Sequence, residues 1–151
     1  MAWTIEETTA DDPALRWLVV AQEVEVMRRY GVTDPGPGLP GAAPCLLARL
    51  DGRPVGCVAV ALSAGGPPEI KRMYVDPHAR GHGIGRALLG GAEQLAARLG
   101  HRLLRLETGT EQPEAVILYE SAGWRRIPCY GYFKEDPTTM CFEKDLPSLP
   151  G

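Results

Sequence analysis

Residues 80–86, Arg-Gly-His-Gly-Ile-Gly-Arg, set three glycines at alternate positions, after a β-type run ending Met73-Tyr74-Val75-Asp76-Pro77 and before an apolar-periodic stretch that starts at Ile84. Such a turn at the head of a helix aims several backbone N–H groups, and the positive end of a helix dipole, at one point. That is chemistry for holding a phosphate. Glycine suits it because a Cβ would keep the phosphate away from the amides. The alternative is that Gly81, Gly83 and Gly85 serve only a turn and close packing. A dinucleotide fingerprint would need glycine at Arg86 and would sit in a first βαβ unit, and a P-loop would need Gly-Lys-Ser/Thr where Gly85-Arg86-Ala87 stands.

The elements around this turn follow from periodicity. Residues 3–8 alternate as a short strand, and Asp12-Pro13 gives an N-cap and a first-turn proline. Leu15, Leu18, Val19, Val26 and Tyr30 then recur at helical spacing, interrupted by Gln22 and ended by Gly31. Residues 31–44 hold too much Gly and Pro for a regular element. Strands at 45–50 and 54–63 flank an Asp51-Gly52-Arg53 turn, and residues 69–75 complete a meander. Alternation there puts Glu69, Lys71, Met73 and Val75 on one face and Ile70, Arg72 and Tyr74 on the other, without deciding which is buried. Ile84, Leu88, Ala92, Leu95 and Leu99 form a helical stripe closed by Gly100. Gly90 and Gly91 inside it, each costing about 1 kcal/mol, imply close packing. A strand at 102–108, a helix from Glu114 to Ala122 and a hairpin over 124–145 complete the chain. A meander followed by strand–helix–strand–helix and a hairpin predicts a mixed α/β sheet with one domain over 1–146 and a loose tail at 147–151.

With 151 residues the chain can bury about 70% of its unfolded surface without metal or disulfide staples. Its net charge of −3 and lack of a basic run give no sign of nucleic-acid binding. The N-terminal residues show no signal-peptide pattern and no apolar run could span a bilayer, so a soluble cytoplasmic protein without membrane partners is expected. Cys45, Cys57, Cys129 and Cys141 are widely spaced and read as buried free thiols rather than a disulfide or metal framework. His78 and His101 lack ligand-type neighbours, so no metal is expected.

Arg80-Gly81-His82-Gly83-Ile84-Gly85 resembles motif A, [Q/R]-x-x-G-x-[G/A], of the GNAT superfamily of N-acetyltransferases. The likeness extends to the MYVDP strand end, the LLRLET strand, the A-x-x-L-Y-E-x-x-G-W block from Ala115 to Trp124 and the last strand, CFEKDL. It implies the acyl-CoA N-acyltransferase fold: an antiparallel meander, then a splayed parallel strand pair, with helices on both faces. It implies acetyl-CoA as co-substrate, its pyrophosphate held by the main chain from Arg80 to Arg86, including His82 as a solvent-facing filler. Its pantetheine arm would lie along Met73, Tyr74 and Val75 in the gap between strands, and Gln112 stands where relatives often carry a contacting Asn.

The same resemblance implies roles in acetyl transfer to an amine. An alkylammonium of pKa about 10.4 is neutral in only about one molecule in 2,500 at pH 7, a deficit of roughly 4.6 kcal/mol, so its proton needs an acceptor. Glu69 matches the position of a catalytic glutamate in the histone-acetylating branch; a water chain is the alternative. Tyr119 matches a tyrosine that donates a proton or hydrogen bond to the departing thiolate. Acceptor choice is expected from loop 31–43 and from Tyr130-Gly131-Tyr132-Phe133, which read either as an aromatic wall for a cationic amine or as hairpin packing. Glu23 and Glu25 read as charge at the entrance or as a solvated helix face. A small-molecule amine is the expected acceptor. A protein N-terminus or lysine, and a non-catalytic acyl-CoA-binding module, are the rival readings. Homodimers are common among relatives, and no residue here specifies an interface.

Overall fold

Asp12 starts the first helix as its type dictates, its carboxylate accepting the Ala14 N–H at 2.9 Å ahead of Pro13. In this computed structural model, which describes residues 2–63, 65–131 and 133–148, that helix is α1 (Pro13–Tyr30). Gly31 ends it at φ 65° and returns its N–H to the Met27 carbonyl. Before it lies β1 (Trp3–Thr9), and after it β2 (Pro44–Leu50) and β3 (Arg53–Ala61) form a hairpin through Asp51 and Gly52, both at positive φ. Then come β4 (Glu69–Val75), a single 3₁₀ turn at Pro77–Ala79, α2 (Ile84–Arg98), β5 (Leu103–Gly109), α3 (Pro113–Ser121), β6 (Arg125–Ile127) and β7 (Thr139–Asp145). Residue 132 and residues 149–151 of the expected tail lie outside the described residues.

The seven strands make one sheet in the order β1-β2-β3-β4-β5-β7-β6, antiparallel throughout except for the β4–β5 pair. The near-continuous apolar runs of β2 and β3 are explained by burial of both faces. Cys45, Leu47, Cys57 and Ala59 pack with Leu15 and Leu18 of α1. Leu46, Ala48, Val58 and Val60 pack with Leu88, Leu89 and Ala92 of α2, joined by Tyr119, Trp124 and Phe142. Of the two interior helix glycines, Gly91 is explained by packing, since a Cβ there would come 2.7 Å from Leu46 Cδ1, whereas Gly90 faces open space.

Two expectations are corrected. First, β4 does not alternate cleanly. A register shift opposite Val58 inserts one residue, and Arg72 takes a left-handed φ of 55° to accommodate it. Consequently Met73 and Val75 join Ile70 on the α2 side, while Arg72 reaches Glu23 of α1 and Tyr74 packs on the α1 side. Second, Cys129 and Cys141 form a disulfide with Cα atoms 5.2 Å apart; Cys45 and Cys57 are the free, buried pair. The β6–β7 ladder brings the two together by pairing Ile127 with Cys141, a proximity that a separation of 12 residues does not announce.

Candidate active site

The bulge sets the shape of the site. Between β4 and β5 only Glu69↔Arg105 and Ile70↔Leu106 pair; beyond them the strands part at the point where Arg72 turns. Two cavities open along this gap. One, of about 270 Å³, runs past Met73, Val75, Gly81, Gly83 and Gly85 to Leu118 and Tyr119. The other, of about 220 Å³, lies between α1 and the sheet and is lined by Glu69, Lys71, Glu107, Thr108 and Phe133 among others. Both share Gln22, Val26, Met73, Gln112 and Tyr119, so they are the two ends of one cleft.

At the first end, Gly81 and Gly83 sit at φ 85° and 82°, where a side chain is strained, and an added Cβ on either would meet no protein atom. Gly83 caps α2 without a side-chain hydrogen bond, leaving the first amides of the helix open. Gly85 differs: its φ is ordinary and its nearest neighbours are the side chains of Val75, Leu118 and Met73 at 3.7–3.9 Å. His82 is exposed. The two arginines flanking the turn are engaged elsewhere. Arg80 donates to the Val75 carbonyl at 2.8 Å and pairs with Glu25 at 2.8 Å, and Arg86 donates to Ser121 Oγ at 2.7 Å. The turn therefore offers a diphosphate its main chain more than its guanidinium groups, and the cradle fits such a group.

At the junction, α3 delivers Tyr119. Pro113 begins the helix, and the Tyr119 ring is buried against Trp124 and Phe142, with centroids 6.2 and 6.1 Å away. Burial pushes its hydroxyl well above the ordinary tyrosine range, so the phenol stays protonated. Gln112 precedes the helix, its Oε1 accepting from the Tyr30 hydroxyl at 3.3 Å, while that hydroxyl accepts the Glu111 N–H at 3.2 Å.

At the second end, Glu69 is partly buried, with Lys71 Nζ 3.6 Å away. Glu23 is not a solvated charge but the partner of Arg72, and Glu25 likewise holds Arg80 and Arg29. Of the aromatic segment, Phe133 lines the cavity, Tyr132 lies outside the described residues, and Tyr130 carries the Arg105 guanidinium over its ring at 5.0 Å. Among the described residues no group of three or more His, Cys, Asp and Glu is placed to hold a metal ion, and no helix is long and apolar enough to cross a membrane.

Residues 41–126 match the family model described as the acetyltransferase (GNAT) domain. The chain belongs to the GNAT family. As a GNAT protein it is an acetyl-CoA-dependent N-acetyltransferase. It is 42% identical over 102 residues to a protein named IAA acetyltransferase from Azospirillum brasilense, a match spanning 67% of each chain. A solved Klebsiella pneumoniae structure, named as an acyl-CoA N-acyltransferase, is similar with a TM-score of 0.80 and 31% identity over 95% of this chain and 97% of that one. A GNAT acetyltransferase from Elizabethkingia anophelis with acetyl-CoA bound shares the fold, with a TM-score of 0.72 and 21% identity over 95% of this chain and 98% of that one.

Of the residues singled out by the resemblance, Met73, Tyr74, Val75, Arg80, Gly81, Gly83, Ile84, Gly85, Gln112 and Tyr119 border one cavity and Glu69 the other, while His82 and Arg86 border neither. Unforeseen were Gln22, Tyr30 and Glu107. Gln22 had a signal, since it interrupts the apolar stripe of α1 where that face leaves the core and becomes a cavity wall. Tyr30 belongs to the helical repeat of α1 and Glu107 to the strand at 102–108, positions that carry no local sign of a cavity wall.

Proposed function

We propose that the protein moves the acetyl group of acetyl-CoA to the primary amine of a small molecule by direct attack within a ternary complex. The observation that carries this reading is the continuity of the two cavities through Met73, Gln112 and Tyr119, which lets a thioester entering past the glycine turn meet an amine entering from the α1 side. The acceptor end, at about 220 Å³, is below the roughly 300–1,000 Å³ of drug-sized sites, which favours a small acceptor. A covalent relay through sulfur is disfavoured. The two free thiols, Cys45 and Cys57, are buried in the sheet, where burial pushes both up to about 12, and neither borders the cleft.

In this reading the amides from Gly81 to Arg86, with Arg80 and His82 contributing main chain, hold the pyrophosphate. The main chain of Met73, Tyr74 and Val75, unpaired toward β5, holds the pantetheine arm, with Gln112 beside it. Glu69 receives the ammonium proton, directly or through water, and the protonated Tyr119 hydroxyl donates to the departing thiolate.

A thiol-release assay across monoamines, polyamines, aminoglycosides, amino acids and peptides tests the proposal, with release expected for small amines. Release with peptides alone would move the assignment to protein acetylation. Coenzyme binding with no release from any amine would leave a binding module.

A further inference from the structure

The buried side-chain polar atoms that lack a hydrogen-bond partner among the described residues are Glu107 Oε1, Thr108 Oγ1 and the Tyr130 hydroxyl. Two of the three border one cavity. Glu107 and Thr108 line the acceptor cavity, Glu107 Oε1 lies against the backbone of Gly131, and Tyr130 is the residue before it. A buried polar atom without a partner costs about 1–3 kcal/mol, so two on one cavity wall mark groups whose partner comes from outside the fold.

The charges of the same cavity are unbalanced. Five carboxylates border it against two cations, Lys71 and Arg72. Arg72 is committed to Glu23 at 3.1 Å and Lys71 lies beside Glu69 at 3.6 Å. Asp34 and Asp136 accept local backbone amides, from Gly36 at 2.9 Å and Thr138 at 2.8 Å. Glu107 alone among these five has neither a cation within ion-pair distance nor a well-formed hydrogen bond among the described residues. Burial, and then the neighbouring Glu69, make its ionised form costly, the condition in which a carboxylate gains most from an added cation.

We propose that Glu107 is the acceptor-binding carboxylate of this enzyme and that it selects an amine carrying more than one positive charge, a diamine or polyamine, over one carrying a carboxylate of its own. The inference rests on the small-amine reading above and names the class of acceptor within it. One ammonium sits against Glu107 while the excess of negative charge around the cavity favours a second. An amino acid would bring a carboxylate into that field and lose what its amine gains.

Calorimetric titration of the coenzyme-saturated protein with diaminopropane, putrescine, cadaverine and spermidine, with γ-aminobutyrate as the carboxylate-bearing control, reads binding independently of turnover. The wild type is expected to bind at least one of the polyamines and not γ-aminobutyrate. Glu107→Gln is expected to weaken polyamine binding by about tenfold or more with coenzyme affinity unchanged, and Glu107→Asp to keep the preference for polyamine over γ-aminobutyrate. Equal polyamine affinity in the wild type and Glu107→Gln, no polyamine binding at millimolar concentration, or γ-aminobutyrate bound as well as putrescine would each overturn the assignment. Thiol release, measured separately, keeps the two readings apart. A protein that binds putrescine through Glu107 but releases no thiol retains the cation site and loses the transfer reading. Undiminished binding and release in Glu107→Gln do the reverse.

Discussion

Arg72, on the bulge of β4, donates from Nε to a Glu23 carboxylate oxygen on α1 at 3.1 Å and from Nη2 to the Pro37 carbonyl at 2.6 Å. One side chain thus fastens the point where the sheet splays to the helix and loop that wall the acceptor cavity. It does so from a left-handed backbone, φ 55°, which costs a residue with a Cβ about 1–2 kcal/mol. Arg72→Ala loses the charged hydrogen bonds and keeps the strain, a destabilisation of about 2 kcal/mol. Arg72→Gly loses the same bonds but relieves the strain, so it should be the more stable of the two by about 1 kcal/mol, reversing the usual order of Ala and Gly in a strand. Urea denaturation of both variants decides it.

Gly83 and Gly85 belong to one motif but are glycine for different reasons. Gly83 has open space beside it but a left-handed φ of 82°, so Gly83→Val should fold at a cost of about 1–3 kcal/mol in backbone strain while its side chain keeps a diphosphate off the amides, abolishing coenzyme binding. Gly85 has ordinary φ and side-chain neighbours no nearer than 3.7 Å, so Gly85→Ala should fold normally and bind with a smaller loss. Calorimetry with acetyl-CoA orders the variants, and equal affinity in Gly83→Val and wild type would remove the turn from the site.

The Tyr119 ring is held by Trp124 and Phe142, contacts that phenylalanine reproduces. Tyr119→Phe should therefore bind coenzyme normally and lose turnover by about a hundredfold, the lower part of the range for a proton donor. Glu69→Gln should lose turnover where the acceptor is an ammonium, and the loss should shrink as pH rises to the amine's own pKa, where no base is needed. A pH–rate profile parallel to that of the wild type would assign the proton to a water chain instead.

The limits of α1 and the glycine turn were legible because they depend on local chemistry: Asp12 supplies a side-chain cap ahead of Pro13, and Gly31, Gly81 and Gly83 take a left-handed backbone that few other residues accept. The bulge in β4 was not. Arg72 is a poor choice for left-handed backbone, and what keeps it there is Glu23, 49 residues away in the chain. Glu107 was equally hidden, because strand alternation gives a residue's face and not the balance of charge across a cavity built from α1, β4, β5 and the segment before β7.

The Cys129–Cys141 bond spans 12 residues, and closing a loop of that order stabilises a fold by roughly 3 kcal/mol in the chain-entropy account. Thiol counting on the denatured, unreduced protein should give two groups, Cys45 and Cys57, and four after reduction. Reduction, or Cys129→Ser, should lower the melting temperature. Cys141 is the cross-strand neighbour of Glu107, so reduction also frees the Tyr130-Gly131 segment from the strand beside that carboxylate. Four thiols before reduction would refute the bond.

Glu107 carries a cost that stability measurements can detect without any substrate. Burial first and Glu69 second raise its pKa above the ordinary carboxylate value, while Lys71 and the Gly131 amide lower it; Tyr130 is itself pushed up, by burial first and then by the charges of Glu69 and Glu107. A carboxyl whose pKa is higher in the native than in the unfolded chain binds its proton more tightly when folded. Stability therefore falls as pH rises from the unfolded value through the native one, and the whole loss is present above it. Below the unfolded value both states are protonated and the cost vanishes. Glu107→Gln removes the titration at nearly constant shape, so it should melt above the wild type in mildly alkaline buffer. The gain should shrink as pH falls through the carboxylate range and be absent in acid. A binding carboxylate held against its own desolvation is expected to behave this way, trading stability for function. A variant less stable than wild type at alkaline pH would show instead that Glu107 serves the fold.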